Sequence, residues 1–199
     1  ISIAAYGHSL PLSEGQQPLM RRNQAKLGDR VAVSGSVGTS AAGLTIIETG
    51  RADEGGVETL LQAHRRPVAR TALGQEAVQA GVACAMDISD GLLQDLGHIA
   101  RASNVGIEIA AASLPVDPAA MRLLGTEHAL DLALGGGEDF ELVLTAPADT
   151  LKRLDRRADT SVPVTLIGRV VDEHPGEVIV WDEDGQEYEP PRRGWDQLR

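Results

Sequence analysis

Two carboxylates and a hydroxyl group occur within four residues near the middle of the chain, at Asp87, Ser89 and Asp90. The apolar run 82–86 before them predicts a buried strand, and apolar residues at helical spacing predict an amphipathic helix over 92–103. A strand-to-helix turn offers free backbone N–H groups and a helix dipole, and both favour anions. Two carboxylates would weaken that attraction, whereas Mg²⁺ held by these oxygen ligands would bridge the turn to a phosphate.

Helix capping explains the same residues without any ligand. Ser and Asp are among the commonest N-cap residues, so Ser89 or Asp90 would cap the following helix in this alternative. The local pattern leaves both interpretations open.

A second acidic pair, Glu138 and Asp139, lies between the triple glycine 135–137 and an apolar segment that predicts a strand over 140–145. Ordering three consecutive glycines costs backbone entropy, so their presence here indicates that the backbone must pass close to another group. The alternative is an ordinary helix-to-strand turn with solvated acids. Three side chains of the predicted strand would share one face: Phe140, Leu142 and Leu144.

Two further segments could contact a phosphate. Arg21 and Arg22 precede a Gly-Asp turn, and an arginine fork suits phosphate, although paired arginines more often form a solvated face. The small-residue loop 35–43 follows a predicted strand and precedes a predicted helix, so its amides could cradle an anion. This loop is neither a P-loop nor a dinucleotide fingerprint, and close helix packing explains its small residues equally well.

The elements that position these groups alternate along the chain. Strands are predicted at 1–6, 30–34, 82–86, 107–110, 140–145, 164–171 and 177–181. Helices are predicted at 41–48, 57–63, 71–80, 92–103, 119–124, 129–134 and 149–158. Residues 7–18 are polar and predict a linker, and the Asp-Gly pair within 182–185 predicts a hairpin turn. The order predicts an α/β or α+β fold with a mixed sheet.

Composition narrows the class of protein. The net charge of −11 argues against nonspecific nucleic-acid binding, which requires clustered Lys and Arg. No stretch approaches the roughly 20 apolar residues of a membrane helix, and no signal peptide is recognisable, so we expect no membrane partner and a cytoplasmic location. Cys84 is the only cysteine, which excludes an intramolecular disulfide. The chain starts at Ile1 in an apparent strand, so we expect it to begin inside a larger protein.

Two of these motifs carry a family resemblance. Residues 87–99, DISDGLLQDLGHI, resemble the first signature of thiamine-monophosphate kinases, and residues 136–142, GGEDFEL, resemble the second. These kinases belong to the aminoimidazole ribonucleotide synthetase-like superfamily. Further matches follow in family order: Gly28-Asp29, Ser34-Gly35, 40–44, Arg66-Pro67 with Arg70, and Gly194-Trp195-Asp196.

The resemblance implies a fold and a reaction. Residues 19–199 would form the carboxy-terminal α/β domain, and residues 1–18 would form the last strand of the amino-terminal ATP-binding domain and a linker. The family forms homodimers through the amino-terminal domain. It uses Mg²⁺ and ATP to convert thiamine monophosphate into thiamine diphosphate, a reaction that depends on positioning and charge neutralisation rather than on a covalent nucleophile.

The resemblance also implies metal and nucleotide ligands in this chain. Asp87 and Asp90 resemble Mg²⁺ ligands, and Ser89 resembles a contact of the ATP phosphates. Arg22 falls where the family has an ATP-binding arginine ahead of its Gly-Asp pair. Residues 23–27, between Arg22 and the Gly-Asp pair, differ from the family pattern, so Arg21 is the alternative to Arg22 as the ATP-binding arginine.

Two residues resemble contacts of thiamine monophosphate. Glu138 matches a residue that binds this substrate, and Trp195 stands where the family has a substrate-contacting aromatic side chain. A carboxylate and an aromatic face suit an aminopyrimidine and a cationic thiazolium. His98 is predicted to have a structural role.

The family places further metal-binding carboxylates in the amino-terminal half, which this chain lacks, so we predict that the chain alone is inactive. Two alternatives remain. One is a sister ATP-dependent synthetase of the same fold, against which the Gly-Gly-Glu-Asp motif argues. The other is a ligand-binding module without catalytic activity.

Overall fold

The computed structural model describes residues 6, 19–155 and 162–194. Its six strands are β1 (Arg30–Ser34), β2 (Cys84–Ile88), β3 (Gly106–Ala110), β4 (Glu141–Ala146), β5 (Val164–Val171) and β6 (Val178–Trp181). They form one central sheet in the order β2-β4-β1-β5-β3-β6. β3 and β6 are parallel and the other neighbours are antiparallel, so the predicted mixed sheet is confirmed.

Seven α-helices accompany the described strands: α1 (Thr39–Glu48), α2 (Glu58–Arg65), α3 (Thr71–Ala80), α4 (Leu92–Ser103), α5 (Pro118–Leu124), α6 (Thr126–Gly135) and α7 (Ala148–Asp155). The predicted helices all occur, with α6 three residues longer at its start than its apolar run indicated. Its N-cap is Gly125, and the polar residues that follow already have helical geometry. The predicted strand 1–6 and linker 7–18 lie outside the described residues except for Tyr6, which is exposed.

Helices cover both faces of the sheet. Leu96 and Ile99 of α4 share a hydrophobic cluster with Val143 of β4, and α4 therefore closes one face. Leu73 of α3 and Leu154 of α7 share a second cluster with the opposite face. Full burial of such side chains stabilises the fold by about 1.5–3 kcal/mol each. A third cluster joins α1, α2, α5 and α6 beside the sheet.

Three strand ends meet at one edge of the sheet. Ile88, the last residue of β2, pairs with Glu141, the first residue of β4. β1 runs antiparallel to β4 on its other side, with Val33 opposite Val143. The loops that follow β1 and β2 and the loop that precedes β4 therefore converge, and these loops contain the candidate site residues Ser89, Asp90 and Glu138.

Phe140 does not belong to the strand that the sequence predicted. Its φ of 52° lies in the left-handed region, and the strand begins one residue later. Leu142 and Leu144 share the predicted face, since both contribute to one cluster. Phe140 instead remains 38 % exposed beside the end of β2, where its N–H donates to the carbonyl of Ile88.

Across 19–155 and 162–194, no helix combines the length and the apolar character that crossing a membrane requires.

Candidate functional site

Asp95 organises the turn between β2 and α4. Its Oδ2 accepts hydrogen bonds from the backbone N–H groups of Ser89, Asp90 and Gly91 at 3.0, 3.1 and 3.2 Å. The N-cap residue of α4 is Gly91, so the alternative in which Ser89 or Asp90 caps the helix is wrong. The expectation of free amides at this turn is also wrong, because a carboxylate of the chain itself occupies them.

Burial and neighbouring charges affect the carboxyl group of Asp95. The residue is fully buried, and this desolvation raises its pKa to about 6 against the opposing effect of the backbone hydrogen bonds. The nearby charges of Asp90 and Asp87 raise the pKa further. Within the described part of the chain, Oδ1 has no hydrogen-bond partner. Asp95 has no role predicted from the sequence, although it lies within the 87–99 motif.

The triple glycine lets the loop before β4 approach this turn. The N–H of Glu138 donates to the carbonyl oxygen of Ser89 at 2.8 Å, and a Cβ on Gly137 would lie 2.6 Å from the same oxygen. The close approach expected from the glycines is therefore to the chain's own backbone. Glu138 is exposed and has a φ of 66°. Phe140 has a φ of 52°, so both neighbours of Asp139 have left-handed backbone geometry.

Asp139 lies between Glu138 and Phe140 and accepts hydrogen bonds from backbone N–H groups at the start of α1. Its Oδ2 accepts the N–H of Gly38 at 2.6 Å and its Oδ1 accepts the N–H of Ser40 at 3.0 Å. Burial raises the pKa of this carboxyl group to about 7, although both hydrogen bonds act in the opposite direction. The loop 35–43 thus cradles an anion, as its sequence allowed, but that anion is Asp139.

Glu141 forms a buried ion pair with Arg70. The guanidinium Nε donates to Oε2 at 2.8 Å and Nη2 donates to Oε1 at 2.5 Å, while the hydroxyl of Ser34 donates to Oε2 at 2.5 Å. Glu141 is 4 % exposed, and the hydrogen bonds from Arg70 raise the pKa of that guanidinium. The alternative of solvated acids after the glycines is therefore wrong for Asp139, whereas Glu138 is exposed as that alternative has it. The sequence signal for a buried and paired Glu141 is a charged residue at the first position of an otherwise apolar strand.

A cavity of about 920 Å³ opens beside the two loops, and Ser89, Asp90 and Glu138 contribute to its lining. Its wall carries further charged or titratable side chains: Glu48, His64, Asp131, His128 and Arg192. The hydroxyl of Tyr188 donates to Oδ1 of Asp131 at 2.7 Å and fixes that carboxylate.

Asp87 and Arg22 do not line this cavity. Asp87 is an exposed residue of the edge strand β2, on the face opposite to the buried Ile88. The carbonyl of Arg22 accepts the hydroxyl of Ser103 at the far end of α4, and a helix of this length spans roughly 18 Å. Trp195 lies outside the described residues. The structure thus brings Ser89, Asp90 and Glu138 together at the cavity, and Asp87 lies close enough for its charge to raise the pKa of Asp95. Arg22 is the described candidate that lies apart from them.

The carboxylate of Asp90 has neighbours that could hold a metal ion. One ligand atom each from Asp90, Asp95 and His98 lie within 4.8 Å of one another. Carboxylate oxygens are the ligands that Mg²⁺ prefers, so Asp90 at the cavity wall fits this ion. Imidazole is not a usual Mg²⁺ ligand, and the fit therefore rests on the oxygens.

Comparisons with known proteins find similarity over most of the chain. The family model described as AIR synthase related protein, C-terminal domain, matches residues 26–180. A thiamine-monophosphate kinase of Escherichia coli K12 is 38 % identical over 180 residues, which are 89 % of this chain and 54 % of that protein. The chain spans about half the length of the curated relatives it matches.

Two solved structures are similar in both fold and sequence. The thiamine-monophosphate kinase from Stenotrophomonas maltophilia K279a has a TM-score of 0.75 at 40 % identity, covering 85 % of this chain and 54 % of that one. The structure described as AaThiL complexed with AMPPCP and TMP also has a TM-score of 0.75, at 34 % identity, covering 91 % of this chain and 55 % of that one.

Proposed function

Because the chain belongs to the family of AIR synthase related protein C-terminal domains, we propose that it is the carboxy-terminal part of a thiamine-monophosphate kinase. The whole protein would transfer a phosphoryl group from ATP to thiamine monophosphate. In this proposal residues 19–199 are the carboxy-terminal domain, and residues 1–18 are the last strand of the preceding domain and a linker. The observation that carries the proposal is the shared cavity of Ser89, Asp90 and Glu138.

In this proposal Asp87 and Asp90 would hold Mg²⁺ where the chain leaves β2, and the bound ion would supply neutralisation of the phosphate charge. The N–H groups of Ser89, Asp90 and Gly91 donate to Asp95, and those of Gly38 and Ser40 donate to Asp139, so these amides are not available to a phosphate. A cation held by the carboxylates of Asp87 and Asp90 would allow the turn to bind a phosphate.

The two substrates would approach from different directions. Ser89 contacts the ATP phosphates, and Arg22 contacts the nucleotide from the other end of α4. Glu138 and Trp195 bind thiamine monophosphate. The carboxylates of Glu48 and Asp131 in the same cavity add negative potential, which favours a thiazolium cation.

Homodimer formation and a cytoplasmic location belong to the same proposal. Their basis is the family resemblance, since homodimers of these kinases form through the amino-terminal domain. We expect the 199-residue chain by itself to be inactive, because further metal-binding carboxylates of the family lie in that domain.

The decisive experiment measures ADP release by the protein expressed from the complete gene, with ATP, Mg²⁺ and thiamine monophosphate. Asp90→Asn and Asp87→Asn are expected to lower the rate on the order of a thousandfold, because a lost metal ligand costs several kcal/mol in the transition state. Asp184→Asn in the exposed hairpin after β6 is the matched control and should retain the wild-type rate.

Other outcomes identify the alternatives. ADP release with another small molecule, but not with thiamine monophosphate, would assign the chain to a sister synthetase. Saturable binding of a ligand without ADP release under any condition would assign it to a non-catalytic module.

A further inference from the structure

Three consecutive peptide units of the turn after β2 are held by a single oxygen atom. Oδ2 of Asp95 accepts the N–H groups of Ser89, Asp90 and Gly91, all within 3.2 Å. The carboxylate is fully buried, so water does not compete for these hydrogen bonds. The backbone on both sides of the Asp90 side chain is therefore fixed from inside the protein.

This arrangement determines what the turn presents to the cavity. Its N–H groups point inward to Asp95, while Ser89 and Asp90 contribute to the cavity lining. A phosphate at this turn would meet side-chain oxygens rather than amides. Carboxylate oxygens bind phosphate only through a cation, so the direction of the Asp90 side chain decides where that cation sits.

We propose that Asp95 is a positioning residue for phosphoryl transfer, which holds the 89–91 backbone so that the Asp90 carboxylate meets the metal-bound phosphates. This inference rests on the proposed function and assigns a role to a residue outside the metal and substrate contacts given above. Asp95 acts through Asp90 and does not itself touch the reacting atoms.

The neighbouring imidazole supports a positioning role rather than a larger set of metal ligands. Nη2 of Arg101 lies 3.4 Å from Nδ1 of His98, so a guanidinium cation already faces this ring. Imidazole is also not a usual Mg²⁺ ligand. A Mg²⁺ ion at Asp90 would therefore be held by oxygens, although His98 lies close to Asp90 and Asp95.

The test uses the protein expressed from the complete gene and compares Asp95→Asn with the wild type. The amide has the size of the carboxylate but has one acceptor oxygen and no charge. We expect the Mg²⁺ concentration for half-maximal ADP release to rise about tenfold or more, as is typical when a partner of a metal ligand is lost. Each protein is assayed well below its own unfolding temperature.

Asp182→Asn is the matched control. Oδ1 of Asp182 also accepts two turn N–H groups, those of Asp184 and Gln186, at 3.0 and 2.7 Å, but in the exposed hairpin after β6. We expect its Mg²⁺ requirement to equal that of the wild type. A lower unfolding temperature of Asp95→Asn with an unchanged Mg²⁺ requirement would show a purely structural role and overturn the inference.

A second variant, Asp95→Glu, keeps the charge and displaces it by one methylene group. It is expected to raise the Mg²⁺ requirement as well, because the position of the oxygen is what matters. If neither variant folds while Asp182→Asn does, Asp95 serves stability alone and the inference fails. A wild-type protein without ADP release dependent on thiamine monophosphate would instead overturn the proposed function itself.

Discussion

Asp139 accepts the backbone N–H of Ser40 at 3.0 Å and thereby joins the loop before β4 to the first turn of α1. The other carboxyl oxygen accepts the N–H of Gly38 at 2.6 Å. A negative charge at a helix N-terminus is favourable, but burial opposes it and raises the pKa of Asp139 to about 7. The folded protein therefore binds this proton more tightly than the unfolded chain does.

The stability of the protein should consequently depend on pH through Asp139. Its contribution to the free energy of unfolding is greatest below about pH 4 and decreases as the pH rises to about 7, by up to about 1.4 kcal/mol per pH unit. Urea unfolding of the wild type and of Asp139→Asn between pH 4.5 and 8 checks this. The difference between the two curves should change over this range, and parallel curves would contradict the prediction.

The ion pair between Arg70 and Glu141 should be important for stability. In Arg70→Ala the carboxylate of Glu141 would remain buried without its partner, which typically costs about 3–5 kcal/mol. The double variant Arg70→Met with Glu141→Gln should recover part of this loss, because it removes both charges. Urea unfolding at pH 7 measures both effects.

Arg51→Ala is the control for the ion pair. Arg51 and Glu54 also form a two-point hydrogen-bonded pair, but at the surface of the protein, where such pairs contribute little. Because Nη1 of Arg51 also donates to the carbonyl oxygen of Leu123 at 3.1 Å, we expect Arg51→Ala to lose at most about 1.5 kcal/mol, less than Arg70→Ala. An equal loss of stability in Arg51→Ala and Arg70→Ala would show that burial of Glu141 is not the reason.

Periodicity in the sequence was sufficient to predict most of the fold. The predicted helix 92–103 coincides with α4, and the predicted strand 164–171 coincides with β5. Both elements show a local periodicity of apolar residues, so they can be recognised without knowing which distant residues they contact. Phe140 was placed wrongly because its left-handed backbone arises from pairing of the loop with Ile88, which no local pattern encodes.

The partners of the buried acids could not be predicted in this way. Asp139 meets residues about 100 positions earlier in the chain, and Glu141 meets Arg70 across 71 positions. The motif around Asp95 was recognised, but its hydrogen bonds depend on how the turn folds back over α4. Sequence alone therefore indicated the two acidic motifs, but it gave Asp95 and Glu141 no role and did not distinguish acids that face the cavity from acids that hold the loops together.

Gly137 should tolerate no side chain. A methyl group there would lie 2.6 Å from the carbonyl oxygen of Ser89, a backbone atom that cannot move aside alone. Gly137→Ala is expected to lose about 1–3 kcal/mol of stability and to weaken the hydrogen bond from Glu138 to Ser89. Gly55→Ala, where a Cβ would meet no atom within 4 Å, is the control and should remain within about 0.5 kcal/mol of the wild type. Equal urea midpoints for both variants would contradict the close approach.

Glu138 should distinguish the two substrates of the proposed kinase. Its backbone N–H is fixed on Ser89, and the residue contributes to the wall of the cavity that also contains Asp131. Glu138→Gln keeps the size of the side chain and removes its charge, so a cationic substrate loses one charged partner. Loss of about 1.5–3 kcal/mol per charged hydrogen bond would raise the KM for thiamine monophosphate about 10- to 100-fold.

The KM for ATP should remain unchanged in Glu138→Gln, because Ser89 and the metal ligands are intact. Steady-state ADP release by the protein from the complete gene, with each substrate varied in turn, separates the two constants. Glu183→Gln in the exposed hairpin removes the same charge away from the cavity and should alter neither KM. A rise in both constants would show that Glu138 acts on the turn around Ser89 as a whole, and equal constants in all three proteins would remove it from the substrate site.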